Sequence, residues 1–125
     1  YIAFVQGIVE KEEGRITNSI EGKPAVSRFR VQERRKLYTV VEVCPETGRT
    51  NQIRLHFKAM GHPLVGETRY AFRKDFPLAV PRLMLHAAEL SFLHPWTGKE
   101  VALKSPLPED MKKFLLQESI TGRGL

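Results

Sequence analysis

The sequence predicts an α+β fold with a mostly antiparallel or mixed sheet and few helices, and three observations carry this. Two β-rich runs, Ala25 to Glu33 and Leu37 to Cys44, are separated only by the polar cluster Arg34-Arg35-Lys36, the spacing of an antiparallel hairpin. A third run, Leu83 to Leu93, meets the turn-like His94-Pro95-Trp96-Thr97-Gly98 and a returning stretch from Glu100 to Lys104. A helical period occurs in only two short segments, one around Ile53, Phe57 and Met60 and one around Met111, Phe114 and Leu115.

Taken in order, Tyr1 to Val9 is rich in aromatic and β-branched residues and ends near Gly14, so it reads as a strand followed by a turn. In the next strand Val26, Arg28, Arg30 and Gln32 fall on one side and Ser27, Phe29, Val31 and Glu33 on the other. Leu37 to Cys44 stops at Pro45. The period then changes: Ile53, Phe57 and Met60 recur at i, i+4 and i+7 and predict a helix over 50–60, with Thr50 as N-cap and Gly61 at C′. From His62 to Pro81 the prolines and Gly66 predict a loop with short extended pieces. Leu83 to Leu93 satisfies helix and strand templates alike, and the turn that follows favours a strand. Pro106 and Pro108 introduce a short amphipathic helix, Glu109 to Glu118, with Met111, Phe114 and Leu115 inward and a frayed tail after it.

At 125 residues the chain fits one domain, and 42% hydrophobic with 27% charged residues is a globular composition. The formal net charge of +6 and a sequence pI near 9.7 favour a polyanionic partner, nucleic acid above all, although a solvated basic surface has the same composition. Cys44 is the single cysteine, which excludes an internal disulfide or a thiolate zinc cluster and fits a reducing, cytoplasmic setting. No stretch approaches the roughly 20 apolar residues of a membrane span, so no membrane role is expected, and we expect a monomer. The sequence opens on Tyr1 inside a β-rich run, and we expect it to begin mid-protein.

The densest functional signal is Glu46-Thr47-Gly48-Arg49-Thr50-Asn51-Gln52-Ile53-Arg54. A glycine-bearing turn that feeds a helix N-terminus offers backbone N–H groups and a dipole to an anion, with Arg49 and Arg54 on either side. Arg54 is one position from the inward Ile53, so it projects from the helix flank, where a guanidinium can hold a carboxylate or phosphate bidentately. On spacing alone a capped helix with two surface arginines is the preferred reading, since TGRT is a common kind of helix start. His56, His62, His86 and His94 match no zinc spacing and read as hydrogen-bonded structural residues.

The string TGRTNQIRLHFKAMGHPLVGETRY, Thr47 to Tyr70, resembles the block TGR-T/S-HQ-I/L-R-x-H…GHP-I/L-x-GD-x-x-Y of the RluA-type RNA pseudouridine synthases. Four further blocks resemble that family in order: YIAFVQG, GKPAVSRFRV, LMLHAAELSFLHPWTGK and LKSPLPEDM. The resemblance implies the C-terminal part of the pseudouridine synthase catalytic fold, isomerising uridine to pseudouridine in ribosomal or transfer RNA without metal or organic cofactor. It implies a base flipped into a cleft, an aspartate nucleophile, a tyrosine stacked on the base and an arginine paired with the aspartate. By position Tyr1 matches the tyrosine, Arg54 the arginine, and Leu85 the apolar residue beside the base. Arg49, Thr50, Asn51, Gln52 and His62 are the implied RNA-binding residues.

Three departures accompany the match. Asn51 stands where the family has His, and Glu67 where it has Asp. The aspartate is the third: the only two aspartates are Asp75, after Arg73-Lys74, and Asp110, whose place suits a helix N-terminus, and neither lies in the family's R-L-D context. The chain alone is therefore expected to be inactive, its nucleophile lying upstream, and a non-catalytic RNA-binding module is the alternative.

Overall fold

The computed structural model describes residues 1–70, 80 and 82–124. The chain divides into two units, residues 2–85 and residues 86–125 with Tyr1.

In the larger unit β1 (Ile2–Gln6), β2 (Glu13–Ile16), β3 (Ser27–Arg34) and β4 (Tyr38–Pro45) form an antiparallel sheet in the order β2-β3-β4-β1, and β5 (Leu85–His86) follows β1 in that order. The expected hairpin is present, with Phe29 opposite Val43 and Arg30 opposite Glu42. The alternation holds where it matters for packing, with Ser27 and Phe29 buried and Arg28 and Arg30 exposed. Between Val31 and Glu33 the register slips, and Glu33, which simple alternation puts on the side of the buried Ser27 and Phe29, is exposed.

Glu13 to Ile16, read from sequence as a turn near Gly14, is strand β2. Gly14 lies opposite Phe29, and a Cβ there would come within 2.9 Å of the Phe29 ring. The aromatic thus covers the glycine, and cross-strand packing supplies what glycine's weak strand propensity does not.

One face of this sheet supplies Ala3, Val5, Phe29, Val41 and Val43 to a core closed by Ile53, Phe57 and Leu64. Phe29 and Phe57 meet edge to face with centroids 5.9 Å apart. Each such side chain, fully buried, contributes roughly 1.5–3 kcal/mol. Ile53 and Phe57 come from α1 (Gln52–Ala59), as the helical period requires.

The N-cap of α1 is Asn51, not Thr50: Asn51 is left-handed (φ 56°) and makes no side-chain capping bond. Gln52, the first residue of α1, accepts with its side-chain oxygen from the Arg49 N–H at 3.1 Å, a bond that ties the preceding turn to the helix without capping its first N–H groups. The C-terminus follows the sequence, since Gly61 N–H donates to Lys58 O and His62 N–H to Phe57 O, each at 2.9 Å, the two bonds of a Schellman motif.

After α1 the chain returns beside β1: Gln6 N–H donates to Pro63 O and Val65 N–H to Phe4 O, both at 2.8 Å, and Leu64 bridges Val5. This is the extended piece expected within the 62–81 loop, whose residues 71–79 and 81, including Asp75, lie outside the described residues.

In the smaller unit β6 (Glu89–Leu93) and β7 (Glu100–Lys104) form the expected hairpin. The Leu83 to Leu93 run is thus extended but broken at Ala87-Ala88 between β5 and β6. The hairpin turn closes through His94 N–H to Lys99 O at 2.8 Å and Gly98 N–H to His94 O at 3.0 Å. α2 (Glu109–Gly124) starts with Glu109 and Asp110 in its first turn and Met111 fully buried. It continues past Glu118, where a frayed tail was expected, because each residue added to a formed helix contributes a hydrogen bond without a new nucleation cost. Among the described residues no helix is long and apolar enough to cross a membrane.

Candidate functional site

The segment Thr47 to Gln52 is built around an inward-facing amide. Gln52 is 4% exposed and donates to Val26 O at 2.8 Å and to Ser27 Oγ at 2.9 Å, while its oxygen accepts from Thr47 Oγ at 2.5 Å. Thr47 Oγ in turn accepts from Val26 N–H at 3.1 Å. These bonds fasten the start of α1 to β3, and they commit the Gln52 side chain to the protein interior. One turn later His56, fully buried, lies 2.8 Å from Asn18 O through Nε2 and 2.8 Å from Ser27 Oγ through Nδ1. A carbonyl only accepts, so Nε2 carries the proton and Nδ1 accepts from the serine hydroxyl.

The outer flank of α1 carries Arg54. Its Nε donates to Glu67 Oε2 and its Nη2 to Glu67 Oε1, both at 2.7 Å, a bidentate pair. The Glu67 side chain is 1% exposed and the Arg54 side chain 24%. Glu67 Oε1 also accepts the backbone N–H of Arg69 at 3.0 Å and of Tyr70 at 3.3 Å. Burial pushes the Glu67 carboxyl up, but the Arg54 hydrogen bonds, the two backbone donors and the guanidinium charge outweigh it and hold the group below its ordinary value. The Glu67 hydrogen bond raises Arg54 in turn, against desolvation. Both groups are ionised at neutral pH.

Tyr70 completes the cluster. Its ring lies with the Arg54 guanidinium carbon 5.1 Å and the Arg69 guanidinium carbon 5.2 Å from its centroid, and its hydroxyl accepts from Asn51 Nδ2 at 3.1 Å.

Of the sequence-predicted site residues, Arg54 and Asn51 are therefore brought together through Tyr70. Arg49 is anchored by its Nε to Pro24 O at 2.8 Å, and Thr50 is exposed. His62 lies half-buried with Nδ1 2.9 Å from Gln6 O. Leu85 packs, partly buried, against the hydrophobic core. Tyr1 immediately precedes β1 and is 42% exposed. Glu67 and Tyr70 were not assigned a role from sequence; their signal was the G-E-T-R-Y string itself, in which a lone acid follows Val65-Gly66 thirteen residues after Arg54. Among the described residues no group of three or more His, Cys, Asp or Glu could hold a metal ion.

A family model described as RNA pseudouridylate synthase matches residues 1–59. The chain is 38% identical over 118 residues to ribosomal large subunit pseudouridine synthase C of Escherichia coli K12, covering 90% of this chain and 37% of that protein. It is 40% identical over 129 residues to the RNA pseudouridine synthase YlyB of Bacillus subtilis 168, covering 92% of this chain and 42% of that one. The chain thus spans about two fifths of the length of the curated relatives it matches. The solved human RNA pseudouridylate synthase domain containing 1 has the same fold, with a TM-score of 0.71 at 24% identity over 94% of this chain and 64% of that one. Human RNA pseudouridylate synthase domain containing 4 gives 0.74 at 19% identity, over 94% and 60%. The histidine of the family pattern and Asn51 here are both residue types enriched at positive φ, so that departure preserves the left-handed turn into α1. With its ordered blocks, its fold and its identity to bacterial synthases over nine tenths of its length, this chain is similar to part of an RluA-type RNA pseudouridine synthase.

Proposed function

We propose that the protein carrying this chain isomerises uridine to pseudouridine in structured ribosomal or transfer RNA, in the cytoplasm, and that these 125 residues alone do not turn over. The observation that carries the reading is Arg54, ionised, held on the flank of α1 and still partly exposed. Such a guanidinium favours the charged form of a neighbouring carboxylate, which is the form that attacks. Asp110 accepts from its own helix's Met111 N–H at 3.0 Å, which speaks for a capping role. The nucleophilic aspartate is accordingly assigned to the part of the relatives' length that this chain does not span.

The reaction needs no oxidant or second substrate. The N1–C1′ bond breaks, the base turns, C5 bonds to C1′, the C5 proton leaves and N1 gains one. Flipping the uridine from its stack costs a few kcal/mol, and stacking on the Tyr1 ring recovers part of that. Arg49, Thr50, Asn51 and His62 supply phosphate and base contacts, whereas Gln52 acts by holding the turn that presents them.

The test uses the full-length protein and a large-subunit ribosomal RNA transcript labelled with tritium at uridine C5, because C-glycoside formation releases that label. Arg54→Ala leaves Glu67 buried beside no guanidinium, so Arg54→Lys, which keeps the charge and loses the fork, is the cleaner variant. Release by the wild type and its loss in Arg54→Lys are expected. Full release by a folded Arg54→Lys protein would overturn the role of Arg54. Salt-dependent RNA binding without any release would favour instead a non-catalytic RNA-binding module, a reading supported by the absence of an R-L-D segment around either Asp75 or Asp110.

A further inference from the structure

We propose that Glu67 and Tyr70 are positioning residues that fix the Arg54 guanidinium so that its outer Nη1/Nη2 edge is reserved for the incoming nucleophile carboxylate, an inference that rests on the reading of Arg54 above.

A guanidinium offers five N–H donors in a planar fork. In this chain the Nε and Nη2 edge is filled by the two oxygens of Glu67 at 2.7 Å. The end edge, formed by Nη1 and the second hydrogen of Nη2, has no partner among the described residues and belongs to a side chain 24% exposed. That edge has the same bidentate geometry for a carboxylate as the one Glu67 occupies. The guanidinium plane is held too: Tyr70 covers it at 5.1 Å, Asn51 Nδ2 fixes the Tyr70 hydroxyl at 3.1 Å, and the Tyr70 N–H rests on Glu67 at 3.3 Å. Glu67 is itself fixed by burial and by the Arg69 N–H at 3.0 Å.

The consequence is physical rather than merely architectural. A free arginine side chain carries about 2 kcal/mol of rotamer entropy, which is lost each time it engages a partner. Here the ordering is complete before the carboxylate arrives. A bidentate donor fixed in direction also orients the carboxylate it binds, so the nucleophile's attacking oxygen is aimed as well as kept ionised. The carboxylate of Glu67 does not touch the reacting atoms; it acts only through Arg54 and Tyr70.

The experiment measures kcat and KM by tritium release from the C5-labelled ribosomal transcript, with the full-length protein and its Glu67→Gln, Glu67→Asp, Tyr70→Leu and Arg54→Lys variants, each normalised to folded protein. Glu67→Gln keeps the volume and the acceptor for Arg69 and Tyr70 but turns an N–H donor toward Arg54. It is expected to lower kcat about 10- to 100-fold, the scale of a small misplacement at a catalytic group, with KM within about 3-fold of wild type. Glu67→Asp, which restores the charge, should recover most of kcat, and Tyr70→Leu should lower kcat without changing KM. Because Glu67 acts through Arg54, Glu67→Gln added to Arg54→Lys should cost under about 2-fold more. Wild-type kcat in Glu67→Gln beside an impaired Arg54→Lys overturns this inference and leaves the role of Arg54 standing. Full additivity in the double variant, or a purely KM effect, overturns it as well. Wild-type kcat in Arg54→Lys removes the reading on which it rests. If Glu67→Gln does not fold, Glu67→Asp and Tyr70→Leu carry the same decision.

Discussion

Gln52→Ala is expected to destabilise the larger unit by about 3 kcal/mol, because the amide is the one group that satisfies both sides of the Thr47 to Gln52 turn. The four bonds do not count equally. Val26 O keeps a second donor, the Glu46 N–H at 2.8 Å, and Ser27 Oγ keeps its bond to His56 at 2.8 Å. The Thr47 hydroxyl and the Arg49 N–H, however, lose the oxygen that accepts from them at 2.5 and 3.1 Å. A part-buried donor left without an acceptor costs about 1–3 kcal/mol, and truncating a residue 4% exposed adds a cavity. For a folded domain of roughly 100–150 residues about 3 kcal/mol corresponds to a fall in Tm of roughly 10 °C. Thermal and urea unfolding should be followed by far-UV circular dichroism, since Trp96 is 91% exposed and its fluorescence changes little on unfolding. A loss below about 1 kcal/mol would refute the reasoning, because it would mean that solvent or a rearranged turn replaces the amide without cost.

Gly66→Ala should cost more than about 2 kcal/mol in urea unfolding, because at φ 88° the new Cβ would come within 2.1 Å of the Arg82 carbonyl oxygen and the backbone must move; a near-neutral variant would contradict the close approach. The stability advantage of wild type over Glu67→Gln should be full above the ordinary glutamate value of about 4.3 and be lost as pH falls through the lowered folded value, since a carboxyl whose folded pKa is depressed stabilises only when ionised. A gap in Tm that stays constant from pH 7 to pH 3 would be the wrong result. Arg49→Gln should reduce the slope of log affinity for a ribosomal RNA transcript against log salt by about 0.7–0.9, one phosphate contact's share, and an unchanged slope would remove Arg49 from the interface.

Local rules made the framework legible. The Arg34-Arg35-Lys36 cluster, the alternation through Phe29 and the Gly61 helix stop each depend on neighbours in sequence, and each has its structural counterpart. What escaped depends on partners far along the chain. β2 exists because Phe29 crosses Gly14, an arrangement that its four residues cannot announce. Thr50 had the better N-cap side chain, yet the turn into α1 is fixed by the Gln52 amide, which Val26 and Ser27 hold in place from 26 and 25 residues away. In the candidate site Arg54 could be singled out by its flank position on α1. Its clamp could not, because Glu67 and Tyr70 sit in an aperiodic segment brought back by the pairing of Pro63 to Val65 with β1.

The central claim, that Arg54 serves a uridine-isomerising site, is tested most directly in cells of the source organism lacking the gene that encodes this chain. Ribosomal and transfer RNA fractions are digested to nucleosides and pseudouridine is quantified by chromatography after restoring either the wild-type gene or its Arg54→Lys form. Pseudouridine is expected to fall in one fraction on deletion, to return with the wild type and to stay low with a stably expressed Arg54→Lys protein. Unchanged pseudouridine on deletion, or full recovery with Arg54→Lys, would contradict that claim.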